Sequence, residues 1–188
     1  MTPNPDPDPD PDSGANGSPE PVHDADALRL TPAAVERERD WVRDRTAVVD
    51  LINETRAALG EAFGTGVDPV TEPDYRAEVE RVFTDGDVAV NAAALVVLLR
   101  GLDVEGDYPG FVVDEILGRE LAATVASTKG RAFSLLAEAT FHYADIRTHG
   151  APDETAGADD LDAALAAGFQ TRLPGWAWTE DESPFAVE

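Results

Sequence analysis

Apolar residues recur at helical spacing along most of the chain, and one stretch is apolar on every side. This stretch is Val88–Leu102, VAVNAAALVVLLRGL, in which only Asn91 and Arg100 carry polar side chains. A helix without a polar face is buried, either in a protein core or in a bilayer. Because a bilayer span needs about 20 apolar residues, the pattern predicts the central helix of a bundle. Asn91 is then expected to be a buried amide that fixes helix register or lines a ligand cavity.

The flanking segments show the one-sided periodicity of amphipathic helices. Thr31 and Pro32 are typical of a helix start, and the first helix is expected to continue to about Phe63. Thr71 can cap a second helix, and residues 111–126 and 161–169 form two more. The segment 131–149 is the fifth helix in chain order, and its predicted core-facing stripe is Ala132, Leu136, Ala139, Tyr143 and Ile146. The fold class is therefore all-α, a single bundle of five or six helices around Val88–Leu102.

The composition divides the chain into three parts. Residues 1–26 alternate proline with aspartate and are poor in apolar residues, which predicts a disordered tail. Residues 27–169 form the predicted helical bundle. Residues 170–188 form an extension in which aromatic rings lie among acidic residues without a regular period.

Acidic residues dominate the charge of the chain. There are 38 Asp and Glu against 14 Lys and Arg, a formal net charge of -24, and Lys129 is the single lysine. Such a charge repels itself in dilute buffer, whereas at 1 M salt the screening length falls to about 3 Å. Because the acids are spread along the whole chain, we interpret them as the solvation pattern of a halophilic protein. The acidity also argues against nucleic acid as a partner, since phosphate contacts need basic patches.

The absence of cysteine excludes disulfides, Cys-ligated zinc, iron–sulfur clusters and thiol catalysis. The start of the chain lacks the basic and apolar regions of a signal peptide, and no apolar stretch is long enough to span a membrane. The expected location is the cytoplasm. No nucleotide-binding or serine-hydrolase motif occurs, so we predict no catalytic residue and no cofactor, and an enzyme is the less favoured interpretation.

The fifth predicted helix carries the strongest candidate for a metal site. Glu138, His142 and Asp145 lie within about 60° of arc on one stripe, and Glu115 of the preceding helix could complete the set. Carboxylates and imidazoles are ligands for zinc, manganese or iron. The alternative is a solvated polar face. In an antiparallel hairpin, Glu138 is expected opposite Arg119 and His142 opposite Glu115, and Arg119 would repel a cation.

The C-terminal extension contains Trp176, Trp178 and Phe185. One interpretation is an extended segment that lays its rings over the bundle as a lid. The other is a linear motif whose aromatic anchors bind a partner.

Three functions follow from these features. The first is a non-catalytic cytoplasmic helical protein of a halophile that acts through protein–protein interaction, with another protein or with itself. The second is a metal-binding protein or metal-dependent enzyme that uses the fifth-helix stripe. The third is a helix-turn-helix regulator, although the second helix of that pair carries few basic residues after Lys129 and Arg131.

Overall fold

The all-α fold is confirmed by the structure, a computed structural model that describes residues 28–102, 107–148 and 158–177, with side chains from 115 onward in the second range and from 160 onward in the third. These ranges contain seven α-helices and no strand. The helices are α1 (Pro32–Asp44), α2 (Ala47–Phe63), α3 (Glu72–Thr84), α4 (Gly86–Arg100), α5 (Asp107–Ala126), α6 (Arg131–Thr148) and α7 (Ala158–Gln170). A short 3-10 turn, Ser127–Lys129, joins α5 to α6. The predicted N-terminal tail lies outside the described residues.

The helix starts follow the local signals in the sequence. The Thr31 hydroxyl accepts the amide of Ala34 at 3.2 Å, as expected for an N-cap. At α3, Thr71 and Asp74 form a reciprocal capping box, with the Thr71 hydroxyl donating to the Asp74 carboxylate at 2.6 Å. Both signals were local, which explains why the sequence predicted them.

The prediction of one helix from Thr31 to Phe63 was wrong, because the chain breaks between α1 and α2. Arg45 leaves the helical region at φ -81° and ψ 70°, and its guanidinium forms a two-pronged ion pair with Asp162 of α7. No glycine or proline marks this break. A contact 117 residues away accompanies it, and no local pattern could have revealed that contact.

The prediction that α4 is the central helix was also wrong. Val90 and Leu98 are 41% and 44% exposed, and Asn91 is exposed, so it neither fixes register in a core nor lines a cavity. The central helix is α7, which packs against α2, α4, α5 and α6 and is buried continuously from Ala163 to Gln170. Its alanine-rich sequence explains this position, because small side chains let neighbouring helices approach from several sides.

Close helix packing depends on two glycines. A Cβ at Gly168 of α7 would lie 2.8 Å from Cβ of Val125 on α5, and a Cβ at Gly118 of α5 would lie 2.7 Å from the ring of Phe141 on α6. These positions seat α5 against both α6 and α7. Tyr75 of α3 adds an edge-to-face contact with Phe169 at 5.2 Å and donates its hydroxyl to the carbonyl of Val42 at 2.9 Å. Burial raises the pKa of this hydroxyl far above its usual range.

Within the described residues, no single helix is long and apolar enough to cross a membrane. The pair α3 and α4 meets that criterion only when the two are taken together, and they are bent by 111° where they join.

Candidate interaction surface

Helix α6 packs in the opposite orientation to the one that its sequence predicted. Its fully buried residues include Ala137, Phe141 and Ala144, whereas the predicted core stripe contains the exposed residues Ala132, Ala139, Tyr143 and Ile146. Both faces of α6 are apolar, so periodicity alone could not select the inner one. The inner face of α6 is the one that carries Phe141, whose ring fits against Gly118 of α5.

The outer face of α6 is consequently an apolar stripe open to solvent. It consists of Ala132, Leu135, Ala139, His142, Tyr143 and Ile146, all exposed. Leu135 is 47%, Tyr143 39% and Ile146 54% exposed. Single exposed apolar residues are ordinary, but a contiguous stripe of them marks a contact surface.

Helix α5 carries an exposed apolar residue of its own. Ile116 is 57% exposed and lies about 160° around α5 from Gly118, which faces α6 and α7. The outer face of α6 likewise lies about 180° from its buried residues. Ile116 therefore lies on the side of α5 that faces away from Phe141 of α6 and from α7.

This surface belongs to a segment with a small excess of basic residues. Residues 127–148 carry three basic residues, Lys129, Arg131 and Arg147, against two acidic ones, Glu138 and Asp145, in a chain whose formal net charge is -24. Both acids flank the apolar stripe. A partner that meets this surface therefore encounters little of the negative charge that covers the chain as a whole.

The candidate metal ligands do not converge. The side chain of His142 is 69% exposed and its Nδ1 lies 3.8 Å from Oδ2 of Asp145, which is nearly buried. Glu138 is half-buried, and Glu115 pairs with Arg119 one turn further along its own helix. Among the described residues, no three His, Asp or Glu side chains form a group that could hold a metal ion.

The predicted pair between Arg119 and Glu138 was wrong, since the guanidinium binds Glu115 instead. The predicted approach of His142 to Glu115 gives way to the contact with Asp145. Both observed partners are three or four residues away on the same helix, where side chains meet without bridging two helices.

The C-terminal segment is fastened to the bundle as far as the structure describes it. Trp176 is buried, forms an antiparallel bridge with Val67, and donates Nε1–H to the carbonyl of Gln170 at 3.3 Å. The amide of Asp68 donates to the carbonyl of Gly175 at 2.8 Å. This placement favours the lid interpretation for Trp176, while Trp178 and Phe185 lie outside the described residues.

Beneath this segment lies a buried arginine that the sequence did not single out. Arg56 of α2 is 1% exposed, donates Nη2–H to the carbonyl of Pro174 at 2.5 Å, and lies 5.4 Å from the centre of the Trp176 ring. Its Nε and Nη1 atoms make no hydrogen bond. Burial lowers the pKa of Arg56 to about 10, against the opposing effect of Asp68, so the group stays charged at neutral pH.

Two buried glutamates were missed as well. Glu38 of α1 is fully buried with Arg100 Nη2 at 2.8 Å, and Glu78 of α3 is paired with Arg172 at 2.7 Å. In a chain with 38 acids, nothing local distinguishes a buried glutamate from a solvated one. Two guanidinium groups lie over the ring of Trp41, with the Cζ atoms of Arg45 and Arg100 at 4.7 and 4.9 Å from the ring centre.

An open cleft lies beside the start of α7. Its lining is Ala47, Asp50, Leu51, Glu54, Arg147, Thr148 and Asp162. The acids Asp50, Glu54 and Asp162 dominate it, and Asp162 is already bound to Arg45. Because the cleft is open to solvent and its lining holds three acids and an arginine, it lacks the enclosed apolar walls of a small-molecule site.

Comparison with known proteins assigns a family but no activity. Residues 28–188 match a family described as a domain of unknown function. No curated protein and no solved structure matches the chain. Since the match covers the helices and the C-terminal segment, well over half of the sequence, the chain belongs to the family of the domain of unknown function DUF7984.

Proposed function

We propose that this protein is a non-catalytic helical protein that acts through protein–protein interaction. The observation that supports the proposal is the outer face of α6, an apolar stripe with Leu135, Tyr143 and Ile146 open to solvent. Burying such a stripe releases about 25 cal/mol for each Å² of apolar area, so a partner that covers it gains binding energy without reorganising the bundle.

The setting that we propose is a salt-rich cytoplasm. The formal net charge of -24 and the single lysine are compositional features that suit a protein surrounded by molar salt, where repulsion between carboxylates is screened. In such a solvent, long-range charge steering is weak, and apolar contact surfaces become the main source of specific association.

The other two functions find less support. The stripe of Glu138, His142 and Asp145 supplies one contact of 3.8 Å, between His142 and Asp145, and no group of three ligands among the described residues. For the DNA-binding alternative, α6 is the recognition helix, yet its exposed face is apolar. Phosphate contact requires basic side chains along that face.

The test is a comparison of baits in extract from the source cells at molar KCl. The wild-type chain is compared with the double variant Leu135→Glu/Ile146→Glu, which places two charges on the outer face of α6. Leu98→Glu on α4 is the matched control, because Leu98 is 44% exposed, close to the 47% of Leu135. We expect the wild type and the control to retain a protein that the double variant does not retain. An untagged copy of this chain counts as such a protein.

Equal retention by all three baits, or retention by none, would contradict the proposal. Circular dichroism of each bait must show the same helix content, which separates a lost contact from a lost fold.

A further inference from the structure

We propose that the occupant of this surface is a second copy of the same chain, so that the outer faces of two α6 helices meet in an antiparallel pair. The inference rests on the proposed function and specifies its partner. The surface is the outer face of α6.

The spacing of the outer face is that of a helix-pairing seam. Ala132, Leu135, Ala139, His142 and Ile146 follow one another at intervals of three, four, three and four residues, which is the spacing of the a and d positions in a coiled coil. All five are exposed. The core-facing residues of α6 form a separate stripe, so the seam is additional to the packing that holds the bundle together.

The sizes of the seam residues complement one another in an antiparallel pair. With Leu135 placed opposite Ala139 of the second copy, each large side chain meets a small one, and Ala132 meets His142 of the second copy. The alanines let the helix axes approach to the 8–10 Å that is typical of packed helices. Tyr143 lies at the edge of the seam, where its ring covers the contact and its hydroxyl stays in water.

Charge favours a second copy at this surface and an antiparallel direction. Two chains of net charge -24 repel each other wherever acid meets acid, but residues 127–148 hold three bases and two acids. In the antiparallel arrangement, Lys129 and Arg131 of one copy lie near the C-terminal end of the other α6, whose carbonyls attract positive charge. Glu138 of each copy falls near the two-fold axis, a repulsion that molar salt screens.

The available area sets the strength of the contact. Helix α6 has 18 residues and is about 27 Å long, and one helix presents a face about 10 Å wide. The contact then covers about 270 Å² on each copy, or about 540 Å² in total, which is below the roughly 1,000 Å² of a stable specific interface and typical of a weak, transient one. We therefore expect a reversible dimer that dissociates on dilution rather than a permanent one.

The first experiment measures mass. Light scattering during size exclusion of the full chain in molar KCl, over a wide range of loading concentrations, should show the mass rising from 20.0 kDa toward twice that value. Leu135→Glu/Ile146→Glu should remain at the monomer mass with unchanged helix content, and Leu98→Glu should dimerise as the wild type does.

The second experiment reads the direction of the helices and uses the absence of cysteine in the chain. Under mild oxidation in molar KCl, a mixture of Ala132→Cys and His142→Cys chains should form the mixed disulfide in large excess over either symmetric one. A parallel pair reverses this outcome, because each cysteine then meets its own counterpart within the 3.5–4.5 Å that a disulfide allows between Cβ atoms. Leu98→Cys is the control for random collision.

A wild-type chain that stays at 20.0 kDa at every concentration, or a double variant that dimerises normally, overturns the second-copy proposal. The proposed function survives that result if the bait comparison still retains a different protein through the outer face of α6. It fails with the second-copy proposal if neither self-association nor a captured protein depends on this face.

Discussion

Arg172, just after α7, donates Nε–H to Oε1 of Glu78 on α3 at 2.7 Å, with both side chains buried and 94 residues apart in the chain. Arg172 also donates through Nη1 to the carbonyl of Val125 at 2.8 Å and to the Thr128 hydroxyl. One guanidinium therefore joins α3, the end of α5 and the segment that follows α7. The pair is worth testing because its desolvation cost and its attraction are both large.

Replacing Arg172 by Met should destabilise the protein by about 3–5 kcal/mol, because Glu78 is then left in the interior with only Arg81. Arg81 binds Glu78 at 2.5 Å, but its own side chain is 71% exposed, and Arg81→Ala is the matched control with an expected cost below about 1 kcal/mol. Urea unfolding in molar KCl measures both. The double variant Glu78→Met/Arg172→Met should lose less unfolding free energy than Arg172→Met alone, because it leaves no unpaired charge in the interior. A larger loss for the double variant would contradict this explanation.

Truncation should separate the fastened part of the C-terminal segment from the rest. A chain that ends after Gln170 loses Arg172 and Trp176, so its unfolding free energy should fall by more than about 3 kcal/mol. A chain that ends after Ala177 retains every contact described for the segment and should melt near the wild-type temperature. Thermal melts in molar KCl compare the two. Identical melting temperatures for both truncations would remove the lid interpretation of Trp176.

Gly168→Ala should destabilise the protein even though alanine is the better helix former by about 1 kcal/mol. The added Cβ would lie 2.8 Å from Cβ of Val125 and 3.1 Å from the carbonyl oxygen of Ala122, and such overpacking costs about 1–3 kcal/mol. Gly86→Ala, with nothing within 4 Å of its Cβ, is the control and should be neutral or stabilising. In the Gly168→Ala background, Val125→Ala should cost less than it does in the wild type, as expected for coupled neighbours.

Asp74 should make stability depend on pH at the acidic end. The hydroxyl and the amide of Thr71 both donate to its carboxylate and hold its pKa below the ordinary value of 3.8. A carboxyl whose pKa is lower in the folded state stabilises fully above the unfolded value, and this contribution is lost as the pH falls through the folded pKa. Asp74→Asn should therefore be less stable than wild type at neutral pH, by less than about 1 kcal/mol for an exposed cap.

Urea unfolding of both proteins between neutral pH and about pH 3 supplies the comparison, and the difference in unfolding free energy should narrow as the pH falls. Asp87→Asn is the control variant. Asp87 also lies in the first turn of a helix, α4, but that helix has no side-chain cap hydrogen bond. A constant gap between wild type and Asp74→Asn across this range would exclude the carboxylate as its cause.

Removal of salt should reduce helix content. With 38 acids and 14 bases, repulsion outweighs the exposed ion pairs once the screening length grows from about 3 Å at 1 M to about 10 Å at 0.1 M. Dialysis followed by circular dichroism measures the loss, and sucrose at matched osmolality distinguishes screening from dehydration. A fully helical chain in dilute buffer would contradict the halophilic interpretation.

The sequence by itself determined the helical class and several helix starts. Capping is a contact between residues three apart, so Thr31 at α1 and the pair Thr71 and Asp74 at α3 could be recognised without knowing the fold. Apolar periodicity likewise located most helices, because each needs a face to bury whatever covers it.

Only the tertiary structure decided which helix is central and which way α6 turns. Val88–Leu102 is the more apolar stretch, but the alanines of α7 allow closer packing on several sides, and the core formed around them. For α6, two apolar faces competed, and the fit of Phe141 against Gly118 turned Leu135 and Ile146 outward. Packing depends on the shapes of segments that are distant in the chain. Periodicity records only that a face is apolar. For that reason the sequence could not show that the outer face of α6 is exposed.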